Sequence, residues 1–249
     1  MQVFSASKWY FIISVFLFSS CAKQCTESAL SDVEINDPQL LIIEIDIDKS
    51  YAGEISDYEN LKVWVRDKNE QALALLNGTI HANDVKLSVS RSPVAKLPFY
   101  ETNNALPIND GQKYTVNVQL ANGEVYTSSI DLPQQNISGI KAPSYHNRNE
   151  PLTISWNPIN AAYNAEFYWE KEVLLDSSSI IKSGSFKING TTNKVLEPSF
   201  FSDPDGRVGL VSFRIGTKYR GVVNQGFRNE SYFDSEFWAD ATVELQDPA

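Results

Sequence analysis

Few residues in this chain have both the type and the spacing that bond-making chemistry requires. The only histidines, His81 and His146, stand in polar, loop-like contexts with no serine or cysteine motif beside them, and no Gly-x-Ser-x-Gly elbow occurs. Two distant histidines without Cys-x-x-Cys or His-Glu-x-x-His spacing do not make a zinc set. Glycoside hydrolysis needs two opposed carboxylates. With 31 acidic residues some pair will always meet that separation, so abundance argues nothing. Oxygen ligands cluster in Asp203-Pro204-Asp205-Gly206 and in Ile45-Asp46-Ile47-Asp48. Asp203 and Asp205 are thus calcium candidates, but neither stretch fits an EF-hand loop and metal-free acidic turns are the simpler expectation. No phosphate-cradling glycine loop or dinucleotide fingerprint is present, and no cofactor is expected.

One segment suits binding better than catalysis. Between Gly216 and Trp238 the chain reads as an insert longer than a hairpin loop, rich in Tyr, Phe, Arg and Gly. Its candidate contacts are Tyr219, Arg220, Phe227, Arg228, Tyr232, Phe233, Phe237 and Trp238. Aromatic and Arg side chains on a long loop are favoured at protein and sugar contacts. The competing expectation is that the loop folds over its own domain and buries those rings.

The elements that must position these residues are strands. A hydrophobic fraction of 42% supports packed cores, and the supply of aromatics, Val, Ile and Thr favours β structure. Leu41, Ile43, Ile45 and Ile47 alternate with Ile42, Glu44, Asp46 and Asp48, a half-buried strand with an acidic outer face. Leu61, Val63 and Val65 alternate with Lys62, Trp64 and Arg66, and Val85, Leu87 and Val89 follow the same rule. Asn122-Gly123 between two alternating runs is a strong hairpin signal, because both positions tolerate positive φ. The formal charge of −10 repels phosphate backbones, so no nucleic-acid partner is expected. Both cysteines, Cys21 and Cys25, lie at the front, so no disulfide framework holds the body together.

At the N-terminus, Met1–Lys8 is weakly basic and is followed by an apolar run from Trp9 to Phe18, long enough for a signal-peptide core but short of the ~20 residues of a membrane-spanning helix. Leu17-Phe18-Ser19-Ser20-Cys21 resembles a bacterial lipoprotein signal, with Phe18 where that family usually has Leu. The resemblance implies removal of residues 1–20 and lipid on Cys21, hence membrane anchorage in a Gram-negative cell envelope, on either face of the outer membrane. Cleavage after Ala22 by the ordinary secretory route, retention as an uncleaved anchor, and Cys21 as a simple buried hydrophobe are the competing expectations. Residues 21–37 then read as an acidic tether. The sequons at Asn77, Asn136, Asn189 and Asn229 are chance matches in such a setting.

Two stretches carry a second resemblance. Ile108-Asn109-Asp110-Gly111-Gln112-Lys113-Tyr114, with Val116 and Val118 beyond, is similar to the corner leading into a core strand of fibronectin type III and immunoglobulin-like domains, with Asp110 in place of the usual Pro. The resemblance implies a Tyr114 ring packed inward and its hydroxyl returned to nearby backbone. Pro151-Leu152-Thr153-Ile154-Ser155-Trp156-Asn157-Pro158, followed by Tyr163 and Phe167-Tyr168-Trp169, is similar to fibronectin type III strands in which the Trp is a core residue. Together these predict an all-β chain of two tandem β-sandwiches, over 38–136 and 137–249. The expected role is a non-catalytic interaction or adhesion module with an unidentified protein partner. A carbohydrate-binding accessory lipoprotein, and an enzyme with an unrecognised carboxylate site, are the rivals.

Overall fold

Period-two alternation dictates most of what the computed structural model describes, which is residues 31–52, 55–90, 99–134, 139–159, 165–188 and 190–247. The signal segment, Cys21 and Cys25 lie outside the described residues. The N-terminal half holds β1 (Ser31–Val33), β2 (Ile42–Ala52), β3 (Ile55–Arg66), β4 (Leu73–Leu75), β5 (Thr79–Ala82), β6 (Val85–Lys86), β7 (Ser88–Ser90), β8 (Phe99–Glu101), β9 (Lys113–Gln119) and β10 (Val125–Asp131). The C-terminal half holds β11 (Tyr145–Asn147), β12 (Leu152–Ser155), β13 (Glu166–Leu174), β14 (Ser179–Lys187), β15 (Asn193–Leu196), β16 (Ser202–Asp203), β17 (Gly206–Arg220) and β18 (Tyr232–Gln246). The chain is all-β, and among the described residues no helix is long and apolar enough to cross a membrane.

One sheet runs through both halves in the order β14-β13-β17-β18-β2-β3-β8-β7, with β11 on β18 and β16 on β17. In the N-terminal half it is opposed by β10-β9-β5-β6, and in the C-terminal half by the pair β12-β15. Ile43, Ile45, Ile47, Leu61, Val63, Ile80, Val116 and Val118 of the N-terminal half and Leu152, Ile154, Trp156, Phe167, Val211, Phe213 and Ile215 of the C-terminal half belong to one continuous hydrophobic core. Burying a large apolar side chain contributes roughly 1.5–3 kcal/mol, so these alternating runs carry the fold without a disulfide.

The join is made by the fifteen-residue strands β17 and β18. They pair antiparallel from Leu210↔Glu244 to Arg220↔Asp234, and β18 then pairs in parallel with β2 from Tyr232↔Glu44 to Asp240↔Ala52. The last two strands of the C-terminal half thus extend the sheet of the N-terminal half.

Both corner expectations hold. Tyr114 is fully buried, its hydroxyl donating to the Pro107 carbonyl at 2.9 Å and accepting from the Asn109 N–H at 2.7 Å. Trp156 is a core residue, its ring tilted against Phe167 at 5.4 Å and its indole N–H donated to the Thr191 carbonyl.

Two sequence boundaries need correction. The tether read over 21–37 ends before Ser31, since β1 pairs in parallel with β4, and the Val33 and Ile35 carbonyls accept from the N–H groups of Leu76 and Ala121. Asp32 and Glu34 face outward between Val33 and Ile35, so their charge masked a period-two strand. The insert read over Gly216–Trp238 is largely strand, with only residues 221–231 connecting the arms.

Candidate functional site

The outer face of the long sheet is where solvent-facing chemistry collects. Even-numbered residues of β13 up to Glu172, β17 from Leu210, β18, β2 from Glu44 and β3 from Tyr58 share this side, while most of their odd-numbered neighbours face the core. Register fixes its rows. One row crosses the sheet as Glu166, Gly216, Trp238, Ser50 and Tyr58. Tyr168 leans into that row from beside Arg214, its Cε2 lying 3.7 Å from where a Gly216 Cβ would stand. Aromatic and small residues therefore alternate across the strands: Tyr168 leaning over Gly216, then Trp238, then Ser50, then Tyr58. Tyr58 is 38% exposed, and Tyr168 and Trp238 are partly exposed.

Above β17 these residues leave an open groove of ≈ 330 Å³, lined by Tyr168, Glu170, Ser212, Arg214, Glu236 and Asp240. Arg214 stands over the Trp238 ring at 5.5 Å and donates its Nε–H to Asp240 at 2.8 Å. Those hydrogen bonds, together with the Asp240 charge, hold the guanidinium above its ordinary range. Tyr168 donates its hydroxyl to Glu166, and that bond, with burial, pushes its pKa up to about 12. Lys218 reaches Glu236 at 3.4 Å, and the Glu170 charge acts on Arg214 across the groove.

Beside the groove the rows turn acidic. Lys62, Asp46, Asp234 and Arg220 form one row, and Asn60, Asp48, Glu236 and Lys218 the next. Because β2 and β18 run parallel, Asp46 abuts Asp234 and Asp48 abuts Glu236. Burial, then the neighbouring Asp48, Asp234 and Glu44, push the Asp46 carboxyl up to about 7. Tyr232 sits at the margin, its pKa raised to about 12 by burial and by Asp46 and Glu44.

The structure separates the aromatic candidates read from sequence. Phe227, Phe233 and Phe237 are buried: strand alternation turns the last two into the cores, and Phe227 packs on Tyr126 at 5.5 Å. These three are withdrawn as contacts, because a ring without exposed surface meets no partner. Tyr219 lies edge-on to Phe237, also on the inward side. Arg228 is tied down through its N–H to the Leu41 carbonyl and its guanidinium to Glu230. Arg220, Tyr232 and Trp238 remain on the outer face, Arg220 chelating Asp234 at 2.8 and 2.9 Å. Tyr58, Tyr168 and Arg214 join them only through strand order, which no local pattern reveals.

The calcium candidates hold an ammonium instead. Lys182 Nζ lies 2.6 Å from both Asp203 and Asp205, and the buried Lys171 approaches Asp203 at 3.9 Å. Two lysines neutralise the pair and occupy the positions a cation would take. His146 bonds the Glu150 carbonyl through Nε2 and packs on Phe201, and His81 lies in β5, far along the chain.

No protein-family model matches the chain, and no curated protein does. Among solved structures, the FN1–FN3 domains of chicken CNTN1 are similar with a TM-score of 0.23 and 9% identity, over 82% of this chain and 67% of that one. SGBP-B of the Bacteroides ovatus mixed-linkage glucan utilization locus, solved in complex with a mixed-linkage heptasaccharide, is similar with a TM-score of 0.19 and 14% identity. That match covers 84% of this chain and 60% of the other. At these scores no residue correspondence carries over, and the site rests on its own geometry.

Proposed function

We propose that this chain is a membrane-anchored envelope lipoprotein whose body is a non-catalytic binding module, with the outer face of the long sheet as its binding surface. The observation that carries the reading is the row in which Tyr168, Trp238 and Tyr58 keep solvent-facing ring surface across five adjacent strands while the opposite face of the same strands is buried. Aromatic rings flanked by ordered polar groups are what recognition surfaces concentrate. A catalytic reading would call on two free carboxylates facing each other across a cleft. In the groove, Asp240 is engaged by Arg214 and Glu236 by Lys218, an ion-paired arrangement that supports binding over bond breaking.

Lipid on Cys21 would leave nine residues, 22–30, before the first strand. Nine residues reach at most ~30 Å, so the body would ride close to the bilayer.

Two experiments test the reading. Acyl labelling of the full chain should depend on Cys21, being lost in Cys21→Ala; labelling that survives the substitution, or never occurs, removes the anchor. A photo-crosslinking amino acid placed at Tyr58 in the native cell should trap an envelope component, while the same probe at Val195, on the opposing β12-β15 pair, should not. Equal trapping from both positions, or none from Tyr58, removes the binding face.

A further inference from the structure

The spacing along the aromatic row defines a ligand more narrowly than exposure alone. Tyr168, Trp238 and Tyr58 belong to β13, β18 and β3, and one strand separates each from the next. Strands lie ~4.8 Å apart, so the backbones that carry the three rings span roughly 20 Å, and Tyr168, leaning over Gly216, brings its ring closer to Trp238. The intervening positions are Gly216 and Ser50, the two smallest side chains in the row, and both are buried. A flat ring is matched by a flat apolar face, and a pyranose offers one on its axial C–H bonds. A row of roughly 20 Å suits an extended chain of several pyranoses rather than a single sugar.

The polar groups fit the same ligand. Sugar hydroxyls both donate and accept, and the groove presents both functions: Glu170 and the outer lone pairs of Asp240 and Glu236 accept, while Arg214 and Lys218 donate. On the outer face Glu44, Asp46, Asp48, Glu166, Glu170, Asp234, Glu236 and Asp240 outnumber Lys62, Arg66, Arg214, Lys218 and Arg220, and the negative excess disfavours uronate or sulfated chains. Adjacent strands turn by roughly 20–25°, so the ring planes rotate along the row. A single twisting chain can follow that rotation, and the flat surface of a crystalline polymer cannot.

Resting on the binding face proposed above, we infer that this row takes a single, neutral, extended glycan chain, its pyranose rings stacked on Tyr168, Trp238 and Tyr58 and its hydroxyls bonded by Arg214, Asp240 and Glu170.

The test is native electrophoresis of the folded body through gels containing hydroxyethyl cellulose, xylan or galactomannan, with polygalacturonate and crystalline cellulose as counter-probes. Retardation is expected in at least one neutral soluble polymer, with none in polygalacturonate and no pull-down on crystalline cellulose. Tyr58→Ala and Trp238→Ala should each weaken retardation by about tenfold, as loss of a stacking ring does. Val222→Ala, with a side chain 71% exposed in the β17–β18 connection, should leave it unchanged. Thermal melting guards against misfolding: Trp238 supports Arg214, whereas Tyr58 is the more exposed ring, and a loss of binding by Tyr58→Ala at unchanged Tm is the decisive result. No retardation in any neutral gel, or retardation indifferent to both aromatic substitutions, overturns the glycan assignment. If the Tyr58 crosslink then traps a protein, the binding face stands with a different occupant; if it traps nothing, both fall together.

Discussion

At the scale of single residues, Asp46 places a measurable cost on the sheet. Its carboxyl faces Asp48, Asp234 and Glu44, with Lys62 as the nearby cation, and its folded pKa of about 7 stands above its ordinary value. A raised carboxyl pKa means that the folded state binds the proton more tightly than the unfolded chain. The associated stability is present at low pH and is lost as pH rises through about 7. Asp48 and Glu44 shift in the same direction, each chiefly by burial. Melting temperature should therefore fall between pH 5 and pH 8, and Asp46→Asn should flatten that slope and raise Tm at pH 8. Because the group is partly solvated, the gain is on the order of 1 kcal/mol, or a few degrees. A variant whose melting curve tracks the parent at both ends of that range would show that Asp46 bears no such cost.

At the scale of elements, the decisive piece is the turn between β17 and β18. Residues 221–231 run onto the opposing sheet, where Val222 and Ser129 exchange backbone hydrogen bonds at 2.7 and 2.8 Å, and Asn224 bonds Ser128. Gly221 makes this crossing possible: a Cβ there would stand 2.6 Å from the Ser129 carbonyl oxygen and 2.8 Å from Ile130 Cβ. Neither is the free end of a flexible side chain, so Gly221→Ala should destabilise the body by ~2 kcal/mol, read as a lower urea midpoint at unchanged slope. This crossing shows where the sequence was opaque. Strands such as β2, β3 and β9 announce themselves because one face is apolar and the other polar. Phe227, Phe233 and Phe237 look alike in a loop-like stretch, and only their pairing partners decide that all three are buried. The aromatic row was harder still. Tyr58, Trp238 and Tyr168 are far apart in the chain and meet because β18 inserts beside β2, a parallel contact set by tertiary packing rather than by any local turn.

At the scale of the whole molecule, sharing β18 makes two sandwiches into one unit. Ile45 and Ile47 of the N-terminal core border Phe233 and Ser235 of β18 through the parallel register. Removing the C-terminal half would expose that flank and the edge of β2. Unfolding should accordingly be a single cooperative transition, with tryptophan fluorescence and far-UV circular dichroism superimposable, and a fragment ending at Pro133 should not hold the native fold. Two resolved transitions would mean that each half is stabilised on its own. The parallel pair has a mechanical meaning as well. The chain enters β2 at the end where β18 begins and leaves β18 at the opposite end, so tension between the two termini slides the strands lengthwise. Every hydrogen bond from Glu44 to Ala52 then carries load together, whereas a hairpin pulled at its open end surrenders its bonds one at a time. Stretched from its termini in a single-molecule trap, the body should yield at a higher force than when one handle is moved to edge strand β14, which can be peeled. A lipoprotein tethered at one end and gripping a polymer would hold fast under drag for the same reason.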